Sequence, residues 1–126
     1  MRATTGDTIL VDAGTFTEAI VVGGDSVAII GAGSDVTIID PAGDSPVAGL
    51  KGIFAAGRQG ITVENIQVTG ANCGICLEGA RGIVISNVVA RGNGDMGILL
   101  IGSSGSVIRQ SASRGNGNAG ISIRDG

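Results

Sequence analysis

Histidine, tryptophan and tyrosine do not occur in this sequence, and phenylalanine occurs only as Phe16 and Phe54. Without histidine the commonest general base and metal ligand is gone. Without Trp or Tyr, the flat aromatic platforms of a sugar-stacking groove are hard to build. Long apolar runs are lacking too. Ile98 to Ile101 and Ala19 to Val22 fall far short of the roughly 20 residues of a membrane span, so no membrane partner is expected. The chain has no Lys/Arg run, and 8 basic against 11 acidic residues leave a net charge of −3. That distribution carries no nucleic-acid footprint. The segment Met1 to Asp7 has no apolar stretch of the secretory type, which leaves the localisation unassigned.

Glycine, by contrast, fills 24 of the 126 positions. It keeps no three-residue period, which excludes collagen. A hydrophobic fraction of 43 % and a mean hydropathy of +0.43 argue against disorder. A chain of this length is expected to form a single domain, residues 1–126, with many tight turns around small aliphatic side chains.

The only cysteines are Cys73 and Cys76, in Cys-Gly-Ile-Cys. A redox motif of this spacing belongs at a helix N-terminus, where the dipole lowers the thiol pKa. Here it runs straight into the strand-like Ile75-Cys76-Leu77-Glu78, where alternation sends Ile75 and Leu77 to one face and Cys76 to the other. Two thiols without histidine also fall short of a zinc ligand set. The expectation is two unrelated thiols, no metal and no cofactor, with an intermolecular disulfide through Cys76 left open.

The second half repeats itself. Gly60-Ile61-Thr62-Val63-Glu64-Asn65-Ile66-Gln67-Val68-Thr69-Gly70 is followed by Gly82-Ile83-Val84-Ile85-Ser86-Asn87-Val88-Val89-Ala90-Arg91-Gly92. A third copy starts at Gly105, so the starts lie 22 and 23 residues apart. Each copy ends in a glycine-rich turn and a further short strand, beginning at Gly74, Gly97 and Gly120. Arg91-Gly92-Asn93-Gly94 recurs as Arg114-Gly115-Asn116-Gly117. Three short strands per unit, with no helical periodicity between them, return the chain above its starting point, so that equivalent strands stack in parallel. The predicted fold is all-β: a single-stranded parallel β-helix, or β-solenoid, of about five to six turns of 22–23 residues. Residues 1–59 form less regular turns and 60–126 three regular repeats. Ile61, Val63, Ile66, Val68, Ile75 and Leu77 point inward, stacked on Ile83, Ile85, Val88, Ala90, Ile98 and Leu100.

Gly6 to Glu18, with Gly6-Asp7-Thr8-Ile9-Leu10-Val11-Asp12-Ala13-Gly14-Thr15-Phe16, resembles the opening rung of right-handed parallel β-helix proteins of the pectin-lyase-like superfamily. Val27 to Gly33 and Val36 to Asp40 are similar to that superfamily's next strands, and the repeats from Gly60 to its generic coil. The resemblance implies a right-handed coil and a family often found outside the cell. It does not imply one activity, because this coil carries lyases, hydrolases, esterases, epimerases, adhesins and non-enzymatic surface proteins. Relatives usually have a helix ahead of the Gly-Asp-Thr segment and a capping segment at the other end. By that comparison the chain is a fragment lacking both caps.

No catalytic residue is assigned. The Asp pair, Gly-His-Gly and Arg-Ile-Lys segments of polygalacturonase-like enzymes have no match here. The carboxylates of the clear repeats, Glu64, Glu78, Asp95 and Asp125, occupy different positions in the turn. The remaining acids, Asp12, Glu18, Asp35 and Asp40, read chiefly as turn residues. Arg91 and Arg114 fall in one outward column and form a weak candidate site for an acidic sugar or another anion. Asn65, Asn87 and Gln110 share a corner and are read as a structural amide ladder. Outward aliphatic positions suggest an interface: Val84 over Val107, Val89 over Ala112, and Leu99 with Ile101. The expected function is a non-catalytic scaffold that self-associates into a homo-oligomer through its ends or these columns. The alternative is part of a polysaccharide lyase or hydrolase acting on acidic sugars, or a carbohydrate-binding adhesin module.

Overall fold

Turns bearing Gly, Asn and Asp divide the chain into short extended segments, and among the described residues no helix forms. The structure is a computed structural model that describes residues 2–41 and 51–124. Its strands are β1 (Arg2–Ala3), β2 (Thr8–Val11), β3 (Gly14–Phe16), β4 (Ile20–Val22), β5 (Ala28–Gly31), β6 (Thr37–Ile39) and β7 (Lys51–Ala56). They continue as β8 (Thr62–Val68), β9 (Cys73–Glu78), β10 (Val84–Arg91), β11 (Met96–Ile101), β12 (Val107–Arg109), β13 (Ala112–Arg114) and β14 (Ala119–Arg124). One sheet has six strands in the order β1-β4-β7-β9-β11-β14. A second runs β12-β10-β8-β5-β2, with β13, β6 and β3 beside it. Every pairing between them is parallel. The chain coils as a β-solenoid.

From β8 on the register is that of the sequence repeat. The earlier turns depart from the expected 22–23 residues: Arg2 pairs with Val21 and Thr8 with Ala28, but Ile20 pairs with Ile53 and Ala28 with Thr62. Ile85 stands over Val63, Val88 over Ile66 and Ala90 over Val68, while Ile98 stands over Ile75 and Leu100 over Leu77. All twelve inward positions expected for the first two repeats are fully buried, at 0 % exposure. Each such side chain contributes roughly 1.5–3 kcal/mol when removed from water. In the third repeat Ile121 and Ile123 hold the same register but are 43 % and 65 % exposed. The reason is that β14 pairs on one side only, with β11, among the described residues.

Corner geometry explains where the glycines stand. Gly60, Gly82 and Gly105 have φ of +70°, +62° and +65°, and Ser26 shares their corner at +56°. The backbone N–H groups of Ser26, Gly60 and Gly82 donate to Gln59, Arg81 and Ser104 carbonyls one rung on. Gly74 and Gly97 serve a different need. A Cβ at Gly74 would lie 2.6 Å from the Gly97 carbonyl oxygen and 2.8 Å from Asn93 Nδ2. The chain turns there so close to its neighbours that no side chain fits.

Two details depart from the expected strands. The paired four-residue strands of the first two repeats merge into β8 and β10, which run on through Asn65 and Asn87. Asparagine permits this because it tolerates the left-handed region, here at φ +58° and +52°. The short β1 and β3, too brief to show a pattern, were not anticipated. Asp125, weighed as a carboxylate in the sequence, lies outside the described residues.

Truncating the middle of a fully buried column tests this phase. Ile85→Ala should cost about 2–5 kcal/mol in chemical denaturation followed by circular dichroism. Val84→Ala, one residue along and half-buried, should cost under about 1 kcal/mol. The opposite ranking would mean that the inward and outward faces are exchanged.

Candidate functional site

Sulfur gathers on the outer face of the six-stranded sheet. Ile75 and Leu77 belong to the main core. Cys73, Cys76 and Met96 form a separate buried cluster, flanked by the half-buried Phe54, Leu99 and Ala119. Simple alternation would place Cys73 with Ile75 and opposite Cys76. Gly74 breaks that alternation, because its α-carbon faces Asn93 and the Gly97 backbone at the corner. The cysteines on either side of the Gly-Ile pair therefore reach the same face. They are bonded there as an intrachain disulfide with a Cα–Cα distance of 6.1 Å. This corrects the expectation of two unrelated thiols, and neither Cys73 nor Cys76 is left free for an intermolecular bridge.

The register builds a box around these sulfurs. Met96 lies beside Cys73 on one flank, and Leu99 beside Cys76. Lys51 and Phe54 occupy the corresponding places on the other flank. The Lys51 ammonium sits 5.0 Å from the Phe54 ring centroid, a cation–π distance. Cys76, Met96 and Cys73 are only 2 %, 4 % and 6 % exposed. Thiolate and thioether sulfur are soft donors suited to soft metal ions. In the disulfide form the cysteines offer no thiolate. Among the described residues no three His, Cys, Asp or Glu side chains come together as a metal-holding group.

Amides line two corners. Asn87 Nδ2 donates to Asn65 Oδ1 at 2.9 Å. Gln110 shares their left-handed backbone, at φ +51°. The more deeply built ladder is one that the sequence reading passed over, Asn93 with Asn116. Asn93 Nδ2 donates to Asn116 Oδ1 at 3.0 Å and to the Val68 carbonyl at 3.3 Å. Its Oδ1 accepts the Ala71 N–H at 3.1 Å. Asn116 Nδ2 in turn donates to the Ala90 carbonyl at 3.1 Å and to Ser113 Oγ at 2.9 Å. The recurring Arg-Gly-Asn-Gly turn was the available signal for it.

The remaining candidates fall on separate surfaces. Arg91 stands in register with Arg114, and both are exposed. Val84 stacks on Val107 and Val89 on Ala112. Leu99 and Ile101 share a face but not a column, since Leu99 pairs with Cys76 and Ile101 with Glu78. Asp12 and Glu18 border a cavity of about 200 Å³ lined by Ile9, Leu10, Phe16, Ile20 and Ile39, while Asp35 is exposed elsewhere. Asp7 has its carboxyl held below the usual range, because the Thr4 N–H and hydroxyl both donate to it. A polar groove along Asp25, Arg58, Gln59 and Arg81 was missed in the sequence. Bridges between Gln59, Arg81 and Ser104 line these positions up across three rungs. Arg58 and Arg81 stand 23 residues apart, one repeat, so that the coil brings them onto adjacent rungs.

No curated protein and no solved structure matches this chain. A family described as "Periplasmic copper-binding protein (NosD)" matches residues 2–126, and the chain belongs to that NosD family.

Proposed function

We propose that this chain is a non-catalytic β-helix scaffold that binds copper, and that it takes the metal as copper(I). The family description supports the metal, and the donor chemistry of the chain supports the oxidation state. Copper(II) favours nitrogen and oxygen donors in tetragonal arrangements, and this chain has no histidine to offer. The observation that carries the reading is the buried cluster of two cysteine sulfurs and one thioether on a rigid sheet. A periplasmic setting, as in the family description, agrees with a disulfide, which persists in oxidising compartments. Titration of the pre-reduced protein with copper(I) against a chromogenic chelator, without oxygen, should show one equivalent retained per chain. Complete loss of copper to the chelator at every protein concentration would sink this reading.

Self-association is a second reading, supported by the two end rungs of the described residues. Leu10 is 75 % exposed in the first turn and Ile123 65 % in the last. Asp7, Asp12 and Glu18 are exposed near one end, and Arg109, Arg114 and Arg124 near the other. Opposite charges and unfilled apolar columns favour a head-to-tail stack of copies, an open arrangement rather than a closed ring. Light scattering of the 126-residue chain should then give a mass that grows with concentration and shrinks as salt screens the charges. A constant 12.3 kDa particle over the whole range would contradict it.

A further inference from the structure

We infer that Cys73, Cys76 and Met96 form the copper(I) site itself, and that the Cys73–Cys76 disulfide is its closed state, opened by a dithiol reductant. The inference rests on the copper reading above and names its residues and its control. The argument begins with position. Met96 is in register with Cys73 one rung away, and the two cysteines already meet. Three sulfur-bearing side chains therefore cluster from two adjacent strands of one sheet. Strands hold such a constellation more rigidly than loops do. Phe54 and Leu99, both half-buried, flank it on either side of Cys76 and would help keep water off a metal held there.

Charge is the second line of argument. A copper(I) ion held by two thiolates carries a net charge of −1, which is costly to bury unpaired. Lys51 stands beside Cys73 on the flank opposite Met96. Its ammonium already rests against Phe54 and supplies the compensating positive charge. In the disulfide form there is no thiolate to compensate, and the same ammonium rests on the Phe54 ring face.

Opening and loading balance as follows. A thiolate of the dithiol reductant attacks one sulfur of the Cys73–Cys76 bond, forming a mixed disulfide and releasing one protein thiolate. The second thiol of the reductant displaces the other cysteine, so that the reductant leaves as its own cyclic disulfide. Two electrons and two protons reach the protein, giving two thiols. Copper(I) then displaces both thiol protons to solvent and accepts the Met96 thioether as a further ligand, with no change in its oxidation state.

Four samples of the full chain decide the matter: wild type oxidised, wild type reduced, Cys73→Ser/Cys76→Ser, and Met96→Leu. The readouts are copper(I) affinity by chelator competition, the ultraviolet sulfur-to-copper band, and folding by circular dichroism. The reduced wild type should bind one equivalent with that band. The oxidised protein and the double serine variant should bind at least a hundredfold more weakly. Met96→Leu, which conserves volume, should fold normally and lose about tenfold or more in affinity. If the double variant is unfolded, the Met96→Leu loss and the oxidised-versus-reduced contrast still decide. Copper retained equally by the folded serine variant, or by Met96→Leu, overturns this site while leaving the copper reading intact. Equal binding by the oxidised and reduced wild type overturns the closed state. No binding in either redox state overturns both the site and the reading.

Discussion

Parallel stacking at a fixed period governs this molecule. Where a turn takes 22 or 23 residues, from Gly60 on, each position lies roughly 4.8 Å from its own equivalents above and below. A side chain must then fit its like rather than an arbitrary neighbour. Inside the coil this yields columns of Ile, Val, Leu and Ala at zero exposure. At the corners it yields stacked asparagines, since an amide can donate to the amide above and still serve the turn backbone. The scarcity of aromatic side chains belongs to the same constraint, because a narrow bore repeated every few ångströms has no room for a stack of rings.

The sulfur cluster arises where the constraint is locally broken. A strict alternation would have divided Cys73 from Cys76 across the sheet. Gly74 cannot carry a side chain against the Asn93 amide and the Gly97 backbone, and the chain places two successive residues toward the interior there. The corner asparagine and the cysteine pair are therefore linked: the ladder that fixes the turn also sets the phase that brings both sulfurs outside. A substitution that let the Asn93 corner relax would disturb the sulfur geometry without touching a sulfur.

Most of the fold was legible because its cause is periodic. The six inward positions of the repeat starting at Gly60 and their equivalents one turn on could be named from alternation and the repeat, and those rungs are covered on both sides. Ile121 and Ile123 fit the same pattern but are open, because exposure at a last rung depends on what lies beyond it, which no period encodes. The disulfide was illegible for a different reason. Alternation is a two-residue rule, and the break at Gly74 comes from a steric contact with a residue 19 positions away. At the polar groove Arg58 and Arg81 follow the repeat, but Asp25 meets Gln59 across 34 residues, a spacing that no period in the sequence encodes.

The contrast between columns bears on the proposed copper site. Inward columns are chemically uniform along the coil, as packing alone requires. The outward column of Lys51, Cys73, Met96 and Ala119 changes chemistry at every rung. Uniform stacking does not require a cation, a cysteine sulfur and a thioether to follow one another. The copper(I) site proposed above would give a reason for that succession, since thiolate and thioether are both soft donors and a nearby cation would offset the anionic charge. The same lattice that makes the interior monotonous supplies three differing side chains at fixed spacing on the outer face of the six-stranded sheet, so that no loop would have to fold around a metal held there.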